Sequence, residues 1–373
     1  MTAAVAPRPL AITSAGVVSA AGLGLAPLGE LLAGGRPGHA EPVGEDSSDY
    51  PPRAVRSVPG FRLADHIGRK KIRNLDRLTG FGIVATRQAL ADAGVAADAP
   101  DRAGTGVVLA TNTGSIGSIA EVAQDALLQD RPYLVNPSRF PNTVINSCAG
   151  QIAIWNRLRG MNATLAAGQL SSLYAFRHAL VALGQGRAER LVVGGGEELS
   201  ATLAWGWHGT GVLPEHAPLG EGCAMFTVED AGRAAGKTVL ADVLACETGY
   251  YGLRRKLQSR ADGLARCITR ALQRAGVEPG DVDLVVLGAT HHVGLERIEE
   301  RGIRYALGRV PERLRVADTV GETYSAGGAM QVAGVLAVWA RTPADRPRVA
   351  LVTSVGHDGN AGALLIRGRE AGR

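Results

Sequence analysis

Two stretches of this chain repeat the same order of structural signals, and this repeat constrains the fold more than any other feature. Residues 89–95 (ALADAGV) precede an apolar run at 106–111 (GVVLAT), and residues 271–277 (ALQRAGV) precede another at 284–289 (LVVLGA). Each unit indicates a helix, a glycine cap, a short loop and a strand that is apolar on both faces. Such strands belong to sheets that helices cover on both sides. The sequence therefore predicts an α/β protein with two related halves.

Other apolar runs extend this pattern. Further strands are predicted at 10–13, 191–193, 223–228 and 349–352. The strand at 223–228 closes the first half, so the join is placed near 234–236, between domains 1–235 and 236–373. The longest uncharged run, 323–339, is rich in Gly and Ala, which favours a buried helix over a membrane span.

Composition narrows the class of partner. Hydrophobic residues make up 46% and charged residues 20% of the chain, as in globular proteins. The net charge of +5 mildly favours an acidic partner, but no zinc-finger spacing or aromatic-basic interleaving indicates nucleic acid. The four cysteines form no CxxC pair, which predicts a reduced, cytoplasmic protein without a structural metal.

Gln169 occupies a position where acyl-transfer enzymes often place a nucleophile. The small residues 166–168 allow a sharp turn, and apolar residues at 170, 173, 176, 180 and 183 predict a helix over 174–183. The start of such a helix favours negative charge and lowers the pKa of a cysteine. A glutamine there can hydrogen-bond but cannot form an acyl intermediate.

Several motifs, in order, resemble those of the β-ketoacyl-acyl-carrier-protein synthases (ketosynthases). They are Thr13–Ser19, Gly68–Arg77, Pro137–Gly150, Gly160–Glu198 and Ser354–Ala361. The resemblance runs nearly end to end. It implies the thiolase-like fold, with two similar halves in five α-β-α-β-α layers, usually as a dimer.

In this family a cysteine carries the acyl chain, and two histidines polarise the malonyl thioester and stabilise the enolate. The cysteine position matches Gln169. Aligning Thr290, Glu296 and Glu299 without a gap with the motif of the first histidine places Gly288 at that histidine. An alignment with a gap would instead place His291 or His292 there, because they lie only three and four residues further on. Glu322 stands at the second histidine and Ala317 at a preceding lysine. The resemblance therefore implies four degenerate positions (Gln169, Gly288, Ala317 and Glu322), no catalytic residue and no cofactor.

Three functions fit this pattern. The first is a chain-length factor, the non-catalytic subunit that pairs with an active ketosynthase in a type II polyketide synthase. The stretch Gly321–Ala329 resembles the chain-length-factor version of its motif. The second is a glutamine-type ketosynthase that decarboxylates malonyl-carrier protein for initiation, and Gln169–Leu173 is close to its signature. The third is a stand-alone binding protein on a degenerate thiolase fold.

The first function implies two partners, an active ketosynthase and an acidic acyl carrier protein. Residues 68–77 indicate a basic helix start, either a solvated helix face or a carrier-docking patch at Arg69, Lys70, Lys71 and Arg73. His357 and Asp358 stand where the family has a gate loop, or form a polar turn. A metal site at His291, His292, Glu296 and Glu299 fits no known spacing, so both histidines are predicted to be solvated. Cys148 is predicted to be core packing.

Overall fold

The computed structural model describes residues 9–41, 49–70, 72–96, 99–252, 257–342 and 344–369, and strands and helices follow one another in two series. The strands of the first series are β1 (Leu10–Ser19), β2 (Gly22–Leu23), β3 (Val55–Arg56), β4 (Thr105–Ala110), β5 (Asn162–Leu165), β6 (Arg190–Glu197), β7 (Leu219–Gly220) and β8 (Gly222–Asp230). Its helices are α1 (Leu25–Ala33), α2 (Leu63–Ile67), α3 (Arg77–Asp92), α4 (Pro100–Ala103), α5 (Ile116–Leu128), α6 (Ser147–Asn156), α7 (Ser171–Gly184) and α8 (Ala201–Thr210).

The second series is shorter. Its strands are β9 (Ala241–Tyr250), β10 (Val282–Val286), β11 (Glu312–Leu314), β12 (Val349–Val355) and β13 (Asn360–Gly368). Its helices are α9 (Leu257–Ala275), α10 (Leu295–Leu307), α11 (Val316–Val320) and α12 (Gly327–Arg341). Among the described residues, no helix combines the length and the apolar character that crossing a bilayer requires.

The order of the strands confirms the predicted internal repeat. The first series forms β5-β4-β6-β8-β1, and the second forms β11-β10-β12-β13-β9. When only the five strands of each sheet are numbered in chain order, both sheets read 3-2-4-5-1, with the same parallel and antiparallel pairings. The edge strands β1 and β9 also pair over a short stretch, Leu10–Ile12 with Ala241–Val243. The predicted join at 235/236 lies between β8 and β9, and it stays a prediction.

Helices separate and cover the two sheets. Helices α7 and α12 lie between them and contact strands of both series, whereas α3 and α6 cover the outer face of the first sheet and α9 and α10 that of the second. The largest apolar cluster fills the central layer, and one further cluster lies beneath each outer layer. The chain thus has five α-β-α-β-α layers, and α12 confirms the buried helix predicted from the uncharged run.

One predicted helix start is wrong. Residues 68–70 and 72–76 form turns, and α3 begins only at Arg77. The reason is local: α2 ends at Gly68 in a left-handed conformation with φ 79°, and the Asp76 carboxylate caps α3 by accepting from Thr79 N at 2.7 Å. Lys71 lies outside the described residues.

The two central helices set the position of the site. A short 3₁₀ turn precedes each of them, Gly168–Leu170 before α7 and Tyr324–Ala326 before α12. These turns contact each other, and the first also contacts β12 and β13. The N-terminal ends of both central helices therefore meet at one cleft between the halves.

Candidate active site

Gln169 lies at the tip of the turn that enters α7. Gly168 has φ 58°, a conformation that favours glycine, and its N–H donates to Asn112 Oδ1 at 2.9 Å. The carbonyl of Gln169 accepts from Ser354 Oγ at 3.1 Å. The predicted helix is confirmed with a slightly earlier start, at Ser171. The Gln169 side chain is half-buried and makes no hydrogen bond within the described part of the chain.

The fold brings the four degenerate positions together. Gln169, Gly288, Ala317 and Glu322 line one cleft, with Tyr324 and Ser354 at its sides. The cavity in this cleft measures about 20 Å³, which is room for about one water molecule. The enclosed part of this cleft is therefore too small for an acyl chain.

Backbone packing fills the region around Gly288. A Cβ atom added at Gly288 would overlap the carbonyl oxygen of Thr353. The buried Glu299 carboxylate accepts from Gly288 N and Ala289 N, both at 2.9 Å, and from Thr353 Oγ1 at 2.7 Å. Burial raises the pKa of Glu299 to about 7. A histidine at Gly288 cannot fit this backbone arrangement.

A buried histidine contacts Glu322 instead. His292 Nε2 lies 2.9 Å from Glu322 Oε2, and His292 Nδ1 lies 3.1 Å from His357 Nε2. The side chain of His292 is fully buried, so the prediction that this residue is solvated is wrong. The sequence does not reveal this burial, because the partners of His292 lie 30 and 65 positions away along the chain. Both ring nitrogens of His292 are engaged, which leaves neither free to polarise a thioester.

Burial and neighbouring charges shift the pKa values of His292 and His357 in opposite directions. Burial alone lowers the pKa of His292, but the charge and hydrogen bond of Glu322, helped by Glu299, raise it above its ordinary value. Burial, together with the charge of His292, lowers the pKa of His357 to about 4. The two pKa values are therefore shifted in opposite directions, towards the protonated form for His292 and towards the neutral form for His357.

Tyr324 closes the cleft beside Gln169. Its backbone is left-handed, with φ 49°, and its N–H donates to Glu322 Oε1 at 2.6 Å. Its hydroxyl accepts from Asn112 Nδ2 at 3.2 Å, and its ring packs edge-on against Trp207 at 5.0 Å between centroids. Glu322 thus holds both the histidine and the tyrosine that occupy the cleft.

The described residues supply this cleft with neither a cysteine nor a group that could hold a metal ion. All four cysteines are buried, as predicted for Cys148, whose pKa burial raises well above its ordinary value. The described residues contain no group of three or more His, Cys, Asp or Glu that could hold a metal ion. His291 instead pairs with Asp318 at 2.8 Å, and Glu296 pairs with Arg315.

His357 and Asp358 lie in the hairpin turn between β12 and β13. Asp358 is exposed and accepts from Asn360 N at 3.0 Å, as in a polar turn, whereas His357 points to His292. The turn also borders Gln169, because a Cβ added at Gly356 would lie 3.4 Å from Gln169 Oε1. The tip of the turn therefore faces solvent and its base borders the cleft, and a gate role for His357 and Asp358 stays a prediction.

The basic residues predicted as a docking patch are exposed. Arg69, Lys70 and Arg73 face solvent, and none of the three pairs with a carboxylate in the described part of the chain. Arg77, in contrast, is held by the buried Glu221 carboxylate, with Arg77 Nε 2.8 Å from Glu221 Oε2.

Comparison with known proteins places this chain in a family. The sequence model of the beta-ketoacyl synthase N-terminal domain matches residues 7–245, and that of the C-terminal domain matches residues 241–341. The first match alone covers more than half of the chain.

Individual relatives agree with these matches. The chain is 27% identical to 3-oxoacyl-[acyl-carrier-protein] synthase 2 of Coxiella burnetii, over 89% of this chain and 86% of the relative. It is 28% identical to the tetracenomycin polyketide synthase ketoacyl synthase beta subunit of Streptomyces glaucescens, over 89% and 85%. Among solved structures, the ishigamide ketosynthase/chain length factor matches with a TM-score of 0.83 and 34% identity, over 97% of this chain and 99% of that one.

Proposed function

The chain belongs to the β-ketoacyl synthase family, and we propose that it is a chain-length factor, the non-catalytic partner of an active ketosynthase in a type II polyketide synthase. The observation that carries this proposal is the Glu322–His292 pair in the cleft beside Gln169, at 2.9 Å. The likeness to a ketosynthase beta subunit and to a ketosynthase/chain length factor supports it.

The electrostatics of the cleft oppose condensation. Decarboxylation of a malonyl thioester develops negative charge on the thioester oxygen, and catalysis requires donors aimed at that charge. Glu322 would place a carboxylate there, and its own partners are already His292 Nε2 and the N–H of Tyr324. A second requirement, a covalent nucleophile, is absent at Gln169. The Glu322 carboxylate also weighs against the glutamine-type decarboxylase, which needs no cysteine but still needs donors for the enolate.

An open strand edge and exposed apolar side chains support a protein partner. Among the described strands, β5 pairs only with β4, so its other edge is open. The segments that precede β5 in the chain expose large apolar side chains, namely Leu127, Leu128, Tyr133, Leu134, Phe140, Val144 and Ile145. Open strand edges and exposed apolar groups are both suited to burial against another subunit. We assign these surfaces to the ketosynthase, with the tunnel for the growing chain at the shared interface.

An acidic acyl carrier protein is the second proposed partner. Carrier-bound substrates appear in the name of the relative 3-oxoacyl-[acyl-carrier-protein] synthase 2. The exposed, unpaired Arg69, Lys70 and Arg73 are suited to its acidic surface.

A decarboxylation assay tests the absence of independent activity. The purified chain is incubated with malonyl-carrier protein, alone and together with its ketosynthase, and loss of the malonyl carboxylate is followed by mass spectrometry. We expect turnover only with the ketosynthase present, and equal turnover when the complex carries Gln169→Ala. Decarboxylation by the isolated chain, abolished by Gln169→Ala, would identify an initiation decarboxylase instead.

A further inference from the structure

A second cavity lies at the far end of the first sheet from the cleft. It measures about 550 Å³, within the range of small-molecule sites, and its lining comes from the end of α3, the loop after it, α4 and the end of α6. Arg102 and Arg157 of this lining precede β4 and β5, whereas Asn112, which contacts Gly168, follows β4. Because β4 spans six residues, about 20 Å separate the cavity from the cleft.

Three arginines converge on this cavity. Arg87 of α3, Arg102 of α4 and Arg157 at the end of α6 all line it. Arg102 is buried, and its Nε donates to Asn156 O at 2.7 Å, which fixes the side chain. Burial, together with the charges of Arg87 and Arg157, lowers the pKa of Arg102, so the three charges lie close enough to repel one another. None of the three pairs with a carboxylate in the described part of the chain, and an anion bound among them would remove the repulsion.

Arg157 has a backbone conformation that normally favours glycine. It ends α6 with φ 56° and ψ 35°, in the left-handed region. An arginine there is less stable than a glycine, and its exposed side chain gains no ion pair within the described residues. Residues in such conformations are concentrated at functional sites, ligand-binding sites among them. The strain at Arg157 therefore supports a binding role rather than a structural one.

Trp155 forms an aromatic wall of the cavity. Its side chain is half-buried and packs on the apolar cluster beneath the outer layer of the first sheet. Its indole N–H has no hydrogen-bond partner, and its ring stacks on no other ring, among the residues that the structure describes. Ala91 and Val95 add apolar surface to the lining. An aromatic ring in the same cavity as clustered arginines is suited to a ligand with a nucleobase at one end and phosphates at the other.

We propose that this cavity binds a nucleoside polyphosphate, with the phosphates on the three arginines and the base against Trp155. Guanidinium groups hold phosphates through paired, charge-assisted hydrogen bonds. The described lining contains no acidic side chain that would repel them. Three guanidinium groups exceed what a single carboxylate needs, and the aromatic wall offers a contact that inorganic phosphate cannot use. The site uses residues of this chain only and does not depend on the proposed function.

Calorimetric titration with three probes tests the two parts of the site. ATP, tripolyphosphate and adenosine are each titrated into the purified full-length chain. The Kd of ATP is expected to be at least about tenfold lower than that of either fragment, because only ATP engages both the arginines and Trp155. Trp155→Ala should raise the Kd of ATP about tenfold and change that of tripolyphosphate by less than about twofold.

Arg157→Gly separates binding from folding. The substitution removes a phosphate contact but relaxes the left-handed backbone, so the Kd of ATP should rise about tenfold while the unfolding temperature does not fall. Arg159→Gln is the matched control, because Arg159 is exposed, lies two residues further along and does not belong to the described lining. This control removes the same charge and should change the Kd by less than about twofold.

Three outcomes would overturn the site. The first is no binding of ATP at concentrations up to about 1 mM. The second is binding of tripolyphosphate or of an oligoadenylate RNA as tight as that of ATP, because the cavity would then be a general anion site or an RNA site. The third is an equal rise in the Kd of ATP for Arg157→Gly and Arg159→Gln, since the position of the charge would then not matter.

Discussion

At the scale of single residues, side chains that bond to one another fill the cleft. Glu322 accepts from His292 and from the backbone of Tyr324, and Tyr324 lies against the turn that carries Gln169. Gly288 lies where backbone packing leaves no space for a side chain. Each neighbour of Gln169 therefore has a structural role of its own, and restoring one residue cannot restore the site.

Gln169→Cys tests this conclusion. The start of α7 should make the new thiol reactive, so iodoacetamide should label it. Without free donors for the enolate, the variant should still show no condensation above the level of Gln169→Ala. Product formation from acyl- and malonyl-carrier proteins is the measurement. Condensation by a Gln169→Cys protein that iodoacetamide labels would contradict this conclusion.

His357 gives the cleft a defined pH dependence. Its folded-state pKa is lowered to about 4, below the ordinary value of 6.5, so the unfolded chain binds this proton first as the pH falls. The corresponding stability is present above pH 6.5 and is lost as the pH falls towards 4. Because His357 is half-exposed, we expect a loss of about 1 kcal/mol.

The comparison with His357→Asn isolates this contribution. Urea unfolding at pH 7 and pH 4.5 gives the free energy of unfolding of both proteins. The wild type should lose more stability than the variant over this interval. Equal losses, or a greater loss in the variant, would refute the assignment of His357 as the neutral histidine.

At the scale of elements, local sequence patterns predicted what local physics determines. The apolar runs of β1, β4, β6 and β12 and the apolar face of α7 were sufficient to predict these elements, because each pattern depends on the spacing of neighbouring residues. The start of α3 was not predicted, since it depends on the Asp76 cap. The burial of His292 could not be predicted either, because only the folded chain brings Glu322 and His357 to it.

Two glycines test how tightly the outer helices pack. A Cβ added at Gly16 of β1 would overlap the carbonyl oxygen of Ala85 in α3, whereas a Cβ at Gly150 of α6 meets nothing within 4 Å. Gly16→Ala should therefore destabilise the chain by about 2–3 kcal/mol. Gly150→Ala should stabilise it by about 0.5–1 kcal/mol through helix propensity. Urea unfolding of both variants is the measurement, and similar effects would argue against the close contact of β1 with α3.

At the scale of the whole molecule, the repeated 3-2-4-5-1 sheets bring the N-terminal ends of α7 and α12 to one cleft. The open edge of β5 and the exposed apolar side chains of the segments that precede it remain uncovered in the isolated chain. A cleft without a cysteine and surfaces suited to burial are what the proposed role as a partner subunit predicts.

The mass of the assembled protein tests this claim most directly. The chain is co-expressed with the products of its neighbouring genes, purified through a tag on this chain alone, and weighed by native mass spectrometry. The account predicts a 1:1 heterodimer, lost when Leu127 and Leu128 are both replaced by Asp. Recovery of this chain only as a monomer or homodimer, with the ketosynthase left behind, would contradict it.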